Sequence, residues 1–394
     1  MKIKDRSGFI TTSGFFLVIA LSFVFFNRTP GKESAAENRR LAEFPKIRTS
    51  EGSVSPSLRG DLEDWFEDNL GLRDQYLTLS GIIEYNLFNR ARTPKVELGD
   101  NGFLYLADEG NLQLEASKSS DFISRLPDYA SDQQRIAGSL KDRGIDYVFY
   151  IAPGKTVIYP EYILSSHHVT EDTIGDAMYD YLLENTDVHV SYPKDALLEA
   201  KADPSNGYLY LQTDTHWNSR GRYVALDRFI NELGDWGIID TRPCEVEFFE
   251  SDEHFVGDLS NMMGVVTIDG RRLEEESYTD WRIMDPKAYE VTSGEKYERF
   301  RALLDTKNVY NAELAVMYRN DDAPDKKVLI FGDSMFRNCL MPELAESFSE
   351  VTFVWSYRVD NDFIDAIGPD LVISEFGERE LPLRLDGLYS NGEW

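Results

Sequence analysis

A Gly-Asp-Ser tripeptide at residues 332–334 is the segment whose residue types best suit nucleophilic chemistry. The apolar run at residues 328–331 predicts a buried strand before it, and a helix is expected to begin directly after it. Because glycine accepts backbone angles that other residues resist, Gly332 permits a tight turn. Ser334 would then lie at a helix N-terminus, where unpaired N–H groups can stabilise an oxyanion. The pattern also fits a simpler interpretation, in which Ser334 or Asp333 only caps the helix.

Asp214 and His216 form the pair best suited to activate a serine hydroxyl. They follow a predicted short strand at residues 208–212 and precede a predicted helix that begins at Ser219. In an extended segment, residues i and i+2 point to the same side, so Asp214 can orient the imidazole of His216. An imidazole held in this way can take the proton of an attacking serine. We therefore predict Ser334, His216 and Asp214 as the catalytic residues, although an Asp-x-His pair is also common as a local hydrogen bond.

Strands and helices alternate along much of the chain, which predicts an α/β fold with a mostly parallel sheet flanked by helices. The expected strands are 145–152, 188–192, 208–212, 328–331, 351–355 and 371–376, and the expected helices are 131–143, 175–184 and 219–233. Sites in open α/β sheets assemble at the carboxyl ends of the strands, and the tripeptide follows one such end. Residues 265–325 are acidic and poorly patterned, and we expect them to form an excursion from the core.

The first 26 residues predict a membrane anchor. Lys2, Lys4 and Arg6 precede an uncharged apolar run at residues 8–26. Its roughly 19 residues nearly match the hydrocarbon thickness of a bilayer, and the basic residues before it favour a cytoplasmic N-terminus. The alternative is a cleaved signal peptide with Ser34-Ala35-Ala36 as the cleavage site, although that site lies far beyond the apolar run.

The chain is expected to consist of five segments. They are a cytoplasmic N-terminus at 1–7, a transmembrane signal-anchor at 8–26, a polar tether at 27–55, a helical N-terminal extension at 56–95 packed on the main domain, and the main catalytic domain at 96–394. The extension is predicted from apolar residues that recur at helical spacing.

Composition excludes several classes of function. The net charge of -29 would repel phosphate backbones, so we do not expect nucleic-acid binding. The five histidines and two cysteines show no metal-ligand spacing, so no metal site and no cofactor are predicted. Cys244 and Cys339 are too far apart in sequence to specify a disulfide, although an exported chain permits one.

A series of short motifs resembles the AlgX/AlgJ-type alginate O-acetyltransferase family, whose members, together with relatives that carry an Asp-His-His-Trp motif, are SGNH-hydrolase-like proteins. The matching blocks occur in the family's order at residues 37–45, 65–73, 99–105, 152–160, 213–217, 257–260, 332–334 and 378–379. This chain has Thr215 where the relatives have a second histidine, and Gly154 where the family's Pro-Asp-Lys segment has the aspartate. By position, the family's acid, base and nucleophile fall on Asp214, His216 and Ser334.

The resemblance implies an SGNH-hydrolase-like α/β fold. The apolar run at residues 8–26 predicts a single-pass protein whose catalytic domain lies outside the cytoplasm. The resemblance also implies O-acetyl transfer through an acetyl-serine to hydroxyls of a polysaccharide, with a membrane-bound O-acyltransferase as the acetyl donor partner. Two alternatives are a carbohydrate acetylesterase that uses the same triad, and a non-catalytic glycan-binding or scaffold subunit of a polymer-modification complex.

Four further residues near the predicted sheet ends could contact substrate. They are Arg337, Asn338, Glu375 and Arg379. Surface ion pairs explain such residues equally well, so they are left out of the predicted catalytic set.

Overall fold

A computed structural model of the chain describes residues 3–27, 29, 33–34, 39–48, 52–107, 119–164, 172–275, 277–338, 340–386 and 388–389. Ala35 and Ala36 of the alternative cleavage site, and Cys339, lie outside these residues. The chain divides into two compact units, Met1–Glu97 with Asp258–Glu274, and Leu98–Gly257 with Glu275–Trp394.

The helices and strands are numbered in chain order. The helices are α1 (Ile3–Val24), α2 (Leu58–Asp68), α3 (Arg73–Phe88), α4 (Ser120–Asp142), α5 (Lys155–Ile158), α6 (Ile174–Asn185), α7 (Lys194–Ala202), α8 (Ser219–Asp235), α9 (Asp258–Met263), α10 (Glu295–Lys307), α11 (Ser334–Arg337), α12 (Met341–Ala345), α13 (Asn361–Ile367) and α14 (Leu381–Arg384). The strands are β1 (Glu33–Ser34), β2 (Arg39–Arg40), β3 (Val96–Leu98), β4 (Leu104–Leu106), β5 (Asp146–Ala152), β6 (His189–Ser191), β7 (Val246–Ser251), β8 (Tyr278–Ile283), β9 (Tyr289–Glu290), β10 (Val316–Arg319), β11 (Lys327–Gly332), β12 (Glu350–Trp355) and β13 (Leu371–Gly377).

The first unit contains α1, α2, α3 and α9. Trp65 of α2 packs edge-on against the rings of Phe26, at 5.3 Å between centroids, and Phe44, at 4.9 Å. Asn86 of α3 donates a hydrogen bond to the Val266 carbonyl at 2.6 Å, which ties α3 to the segment that follows α9. Among the described residues, no helix combines the length and apolar character that a membrane crossing demands.

The second unit is built on a seven-stranded sheet with the order β6-β5-β13-β11-β12-β10-β9. The five strands from β6 to β12 are parallel, and β10 and β9 extend the sheet antiparallel. Side chains alternate between two buried clusters, one on each face of the sheet. Val328 and Ile330 of β11 belong to one cluster, and Leu329 and Phe331 to the other. Burial on both faces explains the continuous apolar runs in the sequence.

Two expectations about local structure are wrong. Residues 265–325 are not wholly an excursion, because β10 lies within the sheet and pairs with β12 over Val316 to Arg319. A strand of four residues that also carries polar residues leaves too weak an alternation to detect. Residues 208–212 form no regular strand, and only an isolated bridge joins Tyr210 to Trp217.

Phe336 illustrates how the core supports the segment after the Gly-Asp-Ser tripeptide. Its fully buried ring lies edge-on to Tyr150 of β5 at 4.8 Å and to Phe229 of α8 at 6.1 Å. Aromatic pairs of this geometry add to the free energy gained by burial. The segment that begins at Ser334 is therefore fixed against both β5 and α8.

Replacing Phe336 by alanine should lower the free energy of unfolding of the full-length chain by about 3–5 kcal/mol, because a large buried ring leaves a cavity. Urea titration measures this. Leu183→Ala, at a 52% exposed position on α6, is the control and should change stability by no more than about 0.5 kcal/mol. A Phe336→Ala loss as small as that of the control would contradict the packing described.

Candidate active site

The Gly-Asp-Ser tripeptide lies where β11 ends and α11 begins, as the sequence predicts. Ser334 is the first residue of α11, and its side chain is half-buried, so it is accessible. Residues 332–335 are called the nucleophile turn here. A Cβ atom on Gly332 would lie 2.3 Å from Oε2 of Glu375, so any other residue at this position would displace the Glu375 carboxyl group.

Asp333, and not Ser334, caps the helix. Its Oδ1 accepts a hydrogen bond from the Met335 amide at 2.8 Å. Its Oδ2 accepts from the Gly377 amide and from the Tyr357 hydroxyl, both at 3.1 Å. Three donors therefore hold the carboxylate of this buried aspartate, and they tie the nucleophile turn to the end of β13 and to the segment after β12.

Glu375 of β13 lies beneath the nucleophile turn and is fully buried. Its Oε2 accepts a hydrogen bond from the Asp333 amide at 2.7 Å. Burial and the nearby Asp333 carboxylate raise the pKa of Glu375 well above its ordinary value. Burial and Asp333 likewise raise the pKa of Tyr357, so its hydroxyl keeps the proton that it donates.

Asp214 and His216 are in direct contact. Nδ1 of His216 donates to Oδ1 of Asp214 at 2.6 Å, and the His216 amide donates to the same oxygen at 2.9 Å. A carboxylate on Nδ1 fixes the tautomer in which Nε2 is the basic nitrogen. Thr215, which stands where relatives have a second histidine, places Oγ1 3.3 Å from the same Nδ1.

Residues 209–218, called the base loop here, double back on themselves. The Asn218 amide donates to the Leu209 carbonyl at 2.9 Å, and the Leu211 amide donates to the His216 carbonyl at 3.2 Å. The carboxylate of the buried residue Glu275 accepts from the Thr213 amide at 2.6 Å and from its hydroxyl at 2.7 Å. The backbone around Asp214 is therefore fixed before any ligand binds.

Lys155 joins the base loop to the sheet. The residue lies at the start of α5, just after β5 ends, and is 5% exposed. Its ammonium group donates to the carbonyls of Leu211 and Gln212 at 3.1 Å and of Asp214 at 2.6 Å. The Tyr210 hydroxyl adds a bond to the Pro153 carbonyl at 2.7 Å. The base loop is thus held at the carboxyl end of β5.

Both parts of the predicted triad lie at one edge of the sheet. Ala152 of β5 pairs with Gly377 of β13, and β11 runs parallel on the other side of β13. The carboxyl ends of these strands therefore meet at the edge that carries Ser334. The structure joins Asp214 to His216 directly, and the pairing of His216 with Ser334 stays a prediction.

A cavity of about 640 Å³ lies beside Ser334. Its walls combine aromatic rings with basic side chains: Trp355, Tyr357, Lys307, Arg358, Arg379 and Arg384. Tyr310, which is 75% exposed, also lines it, so the cavity reaches the surface. Such a mixture of flat apolar faces and hydrogen-bond donors suits a polar organic ligand.

The four additional polar residues near the sheet ends differ in role. Arg379 lines the cavity, and Glu375 supports the nucleophile turn from below. Arg337 donates through Nε to the Leu314 carbonyl at 2.5 Å, and Asn338 is exposed. Of these, Glu375 is the one that a surface ion pair cannot explain, because it is fully buried.

Sequence reasoning missed Lys155, Glu275, Tyr357 and the supporting role of Glu375. A single acid inside the apolar run at 371–376 was a usable signal, because an ionisable group in a doubly buried strand requires a partner. Lys155 was marked only as part of the matching block 152–160, and Glu275 gave no signal, since their backbone partners are not evident from the sequence.

The family model described as "SGNH hydrolase-like domain, acetyltransferase AlgX" matches residues 96–315, more than half of the chain. The chain belongs to this family. The matched range contains Asp214 and His216 and ends before Ser334.

Curated relatives of this AlgX-type chain include two proteins named probable alginate O-acetylase AlgJ. The protein from Pseudomonas aeruginosa is 26% identical over 48% of this chain and 47% of its own length, so this match spans about half of that relative. The protein from Pseudomonas syringae pv. tomato is 22% identical over 82% of this chain and 78% of its own length. The family and these relatives support an O-acetyltransferase type of activity.

A solved structure, that of Bacillus cereus PatB1, is similar to this AlgX-type chain. It is 15% identical, with a TM-score of 0.51, over 73% of this chain and 96% of that protein. At this identity the likeness shows the fold alone. Together with the family match, it confirms the predicted SGNH-hydrolase-like α/β fold.

Replacing Lys155 by methionine should misplace the candidate base of this AlgX-type site. Hydrogen bonds to a charged group are each worth about 1.5–3 kcal/mol and Lys155 makes three, so we expect the full-length chain to lose at least about 3 kcal/mol of unfolding free energy in urea titrations. Turnover of an acetyl ester should fall by about 100-fold, because small displacements of catalytic groups are costly. Lys287→Met, which breaks an exposed pair with Asp285, is the control and should change both quantities little. Unaltered turnover in Lys155→Met would contradict the role assigned to Lys155.

Proposed function

We propose that the chain is a serine-dependent O-acetyltransferase that moves acetyl through an acetyl-Ser334 intermediate onto hydroxyls of a polysaccharide. The observation that carries the proposal is the 2.6 Å contact between Asp214 and His216, held at the sheet edge where Ser334 begins α11. A carboxylate, an imidazole and an accessible hydroxyl at one edge are the groups that acyl transfer requires.

In the first half-reaction, Nε2 of His216 takes the proton from the Ser334 hydroxyl while Oγ attacks the acetyl carbonyl of the donor. A tetrahedral intermediate forms with negative charge on the former carbonyl oxygen. His216 then returns the proton to the leaving group, whose bond to the acetyl carbon breaks. Acetyl-Ser334 and a protonated leaving group result, and Asp214 stabilises the imidazolium between the two proton transfers.

The oxyanion needs donors near Ser334. The sequence predicts unpaired N–H groups at the start of the helix, but the Met335 amide already donates to Asp333. We therefore assign the Ser334 amide to this role, together with the guanidinium of Arg379, which lines the same cavity. A cation at the oxyanion is worth more where water is displaced.

In the second half-reaction, a sugar hydroxyl in the cavity attacks acetyl-Ser334. His216 takes its proton, the Ser334 oxygen leaves, and the proton returns to Ser334. The cavity of about 640 Å³ is far larger than an acetyl group, so it has room for an acceptor ring. Trp355 and Tyr357 offer aromatic faces, and arginine side chains offer donors for the sugar oxygens.

The acetyl donor and the location belong to the same proposal. The apolar run at residues 8–26, with basic residues before it, supports a single-pass anchor with the catalytic unit outside the cytoplasm. Tethering raises the local concentration of the enzyme near a membrane-bound O-acyltransferase that would pass acetyl across the bilayer. The relatives' names support the acylation of a polysaccharide.

Hydrolysis by the same triad is the second candidate. The cavity reaches the surface at Tyr310, and that opening also admits water to an acetyl-serine. Water would then replace the sugar hydroxyl in the second half-reaction and release acetate. Transfer requires that a bound acceptor displace this water.

Mutation of the triad should abolish turnover. With the purified full-length chain and a chromogenic acetyl ester, we expect Ser334→Ala and His216→Ala to reduce kcat at least about 100-fold, the contribution of a general base. Mass spectrometry of the wild type should find acetyl on Ser334. Equal turnover in wild type and Ser334→Ala would refute the catalytic proposal.

Product analysis should separate transfer from hydrolysis. Wild-type protein is given the acetyl ester with alginate, with a neutral glucan, or with no acceptor. We expect O-acetyl groups to appear on one of the two polymers. The mixture with that polymer should release less free acetate than the mixture without acceptor, because a bound hydroxyl competes with water. Free acetate at one rate in all three mixtures would identify an esterase instead.

A further inference from the structure

Glu375 occupies a position that the reaction above does not use. It is fully buried at the end of β13, directly beneath the nucleophile turn, and its Oε2 accepts the Asp333 amide at 2.7 Å. The other oxygen, Oε1, is buried and accepts no hydrogen bond from the residues that the structure describes. A carboxylate with one donor and an unsolvated second oxygen is a poor place for a negative charge.

The neighbouring carboxyl group has the opposite environment. Asp333 receives three donors, the Met335 and Gly377 amides and the Tyr357 hydroxyl. Two adjacent buried carboxyl groups cannot both ionise without strong repulsion, and the one with more donors keeps the charge. The pair is therefore divided into a charged Asp333 and a neutral Glu375.

The groups around Glu375 support this division. Asp333 faces it from the end of β11, Tyr357 from the segment after β12, and Tyr150 lies beside it in register on β5. Arg379, after β13, is the cation among them, and its effect on Glu375 is weaker than that of burial and of Asp333. The surroundings thus favour the protonated acid.

The contact constrains the main chain as well as the charge. Oε2 of Glu375 would lie 2.3 Å from a Cβ at position 332, so the acid fills the space that Gly332 leaves open. The bond to the Asp333 amide fixes the peptide group between Gly332 and Asp333, which leads into Ser334. The direction of the Ser334 side chain follows from that peptide and from the cap that Asp333 supplies.

We propose that Glu375, as a neutral carboxylic acid, is a positioning residue that holds the nucleophile turn so that Ser334 presents its hydroxyl to the cavity. The expected effect of Glu375 on kcat rests on the proposed function, whereas the neutrality of Glu375 can be tested by measurements of stability alone. The acid acts through the Asp333 amide and does not touch the substrate. A permanently neutral side chain of the same shape should replace it, and an apolar one should not.

The first test compares Glu375→Gln with Glu375→Leu in the full-length chain. Glutamine can keep the bond to the Asp333 amide, so most of the acetyl-ester turnover should be retained. Leucine leaves that amide without an acceptor, and kcat should fall by about 100-fold with little change in KM, as expected when a reacting group is misplaced by about 1 Å. Equal kcat in the two variants would overturn the proposal.

The second test needs no activity. Above the ordinary glutamate pKa of 4.5, the unfolded chain releases the Glu375 proton while the folded chain keeps it. The unfolding equilibrium constant of wild type should therefore rise relative to that of Glu375→Gln by about tenfold per pH unit, until Glu375 ionises in the folded protein. Urea titrations between pH 4 and 8 measure this. A ratio that does not change with pH would show that Glu375 is charged, and would overturn the proposal even if Glu375→Leu fails to fold.

Glu343 supplies a matched control. It is a buried acid on α12 whose pKa is also raised by burial, but it lies beside Arg222 and Asp280 and not at the nucleophile turn. Glu343→Gln should show a pH-dependent stability gap of the same sign, and Glu343→Leu should have the same kcat as Glu343→Gln. A kcat difference as large as that of the Glu375 pair would show that any buried acid has this effect. If Ser334→Ala is as active as wild type while the Glu375→Gln ratio still changes with pH, the proposed function fails and the neutral acid stands.

Discussion

The ammonium group of Lys155 determines where the candidate base lies. Lys155 lies three residues after the end of β5, and its ammonium group binds three carbonyls of a loop that comes more than fifty residues later in the chain. Without a cation there, the Leu211 and Asp214 carbonyls would lose this donor, whereas the Gln212 carbonyl also accepts from the Leu104 amide at 2.8 Å. Because Lys155 fills this position, the Asp214–His216 pair is held at the carboxyl end of the parallel strands.

The same edge holds the nucleophile for a different reason. β11 is buried on both faces and ends at Gly332, and the chain must turn sharply to begin α11. Asp333 makes that turn stable, since its carboxylate accepts from the Met335 amide of α11 and from the Gly377 amide at the end of β13. The half-buried serine that follows borders a cavity large enough for a sugar ring. The Lys155 ammonium group and the Asp333 carboxylate thus place the two parts of the site on one sheet, each through its own hydrogen bonds.

Much of this arrangement could be predicted from the sequence. The doubly buried strands read as continuous apolar runs, and the Gly-Asp-Ser tripeptide marks the end of one of them. The Asp-x-His spacing predicted the carboxylate–imidazole contact, although residues 208–212 before it form a loop and not the expected strand. Strand β10 escaped detection, because four residues with polar members show little period.

The supporting residues could not be predicted, since their partners are backbone groups distant in sequence. Lys155 and Glu275 bind amides and carbonyls that any residue type would offer. Glu375 differs, because an acid within an apolar strand is itself a sign of an unusual environment. Its partner, the amide before Ser334, becomes evident only when β11 and β13 are aligned.

The central claim is that His216 activates the Ser334 hydroxyl. The rate at which a small sulfonyl fluoride labels the full-length chain, with the labelled residue identified by mass spectrometry, tests it most directly. The account predicts labelling at Ser334, slowed at least about 100-fold in His216→Ala. Labelling at another serine, or an equal rate in His216→Ala, would contradict it.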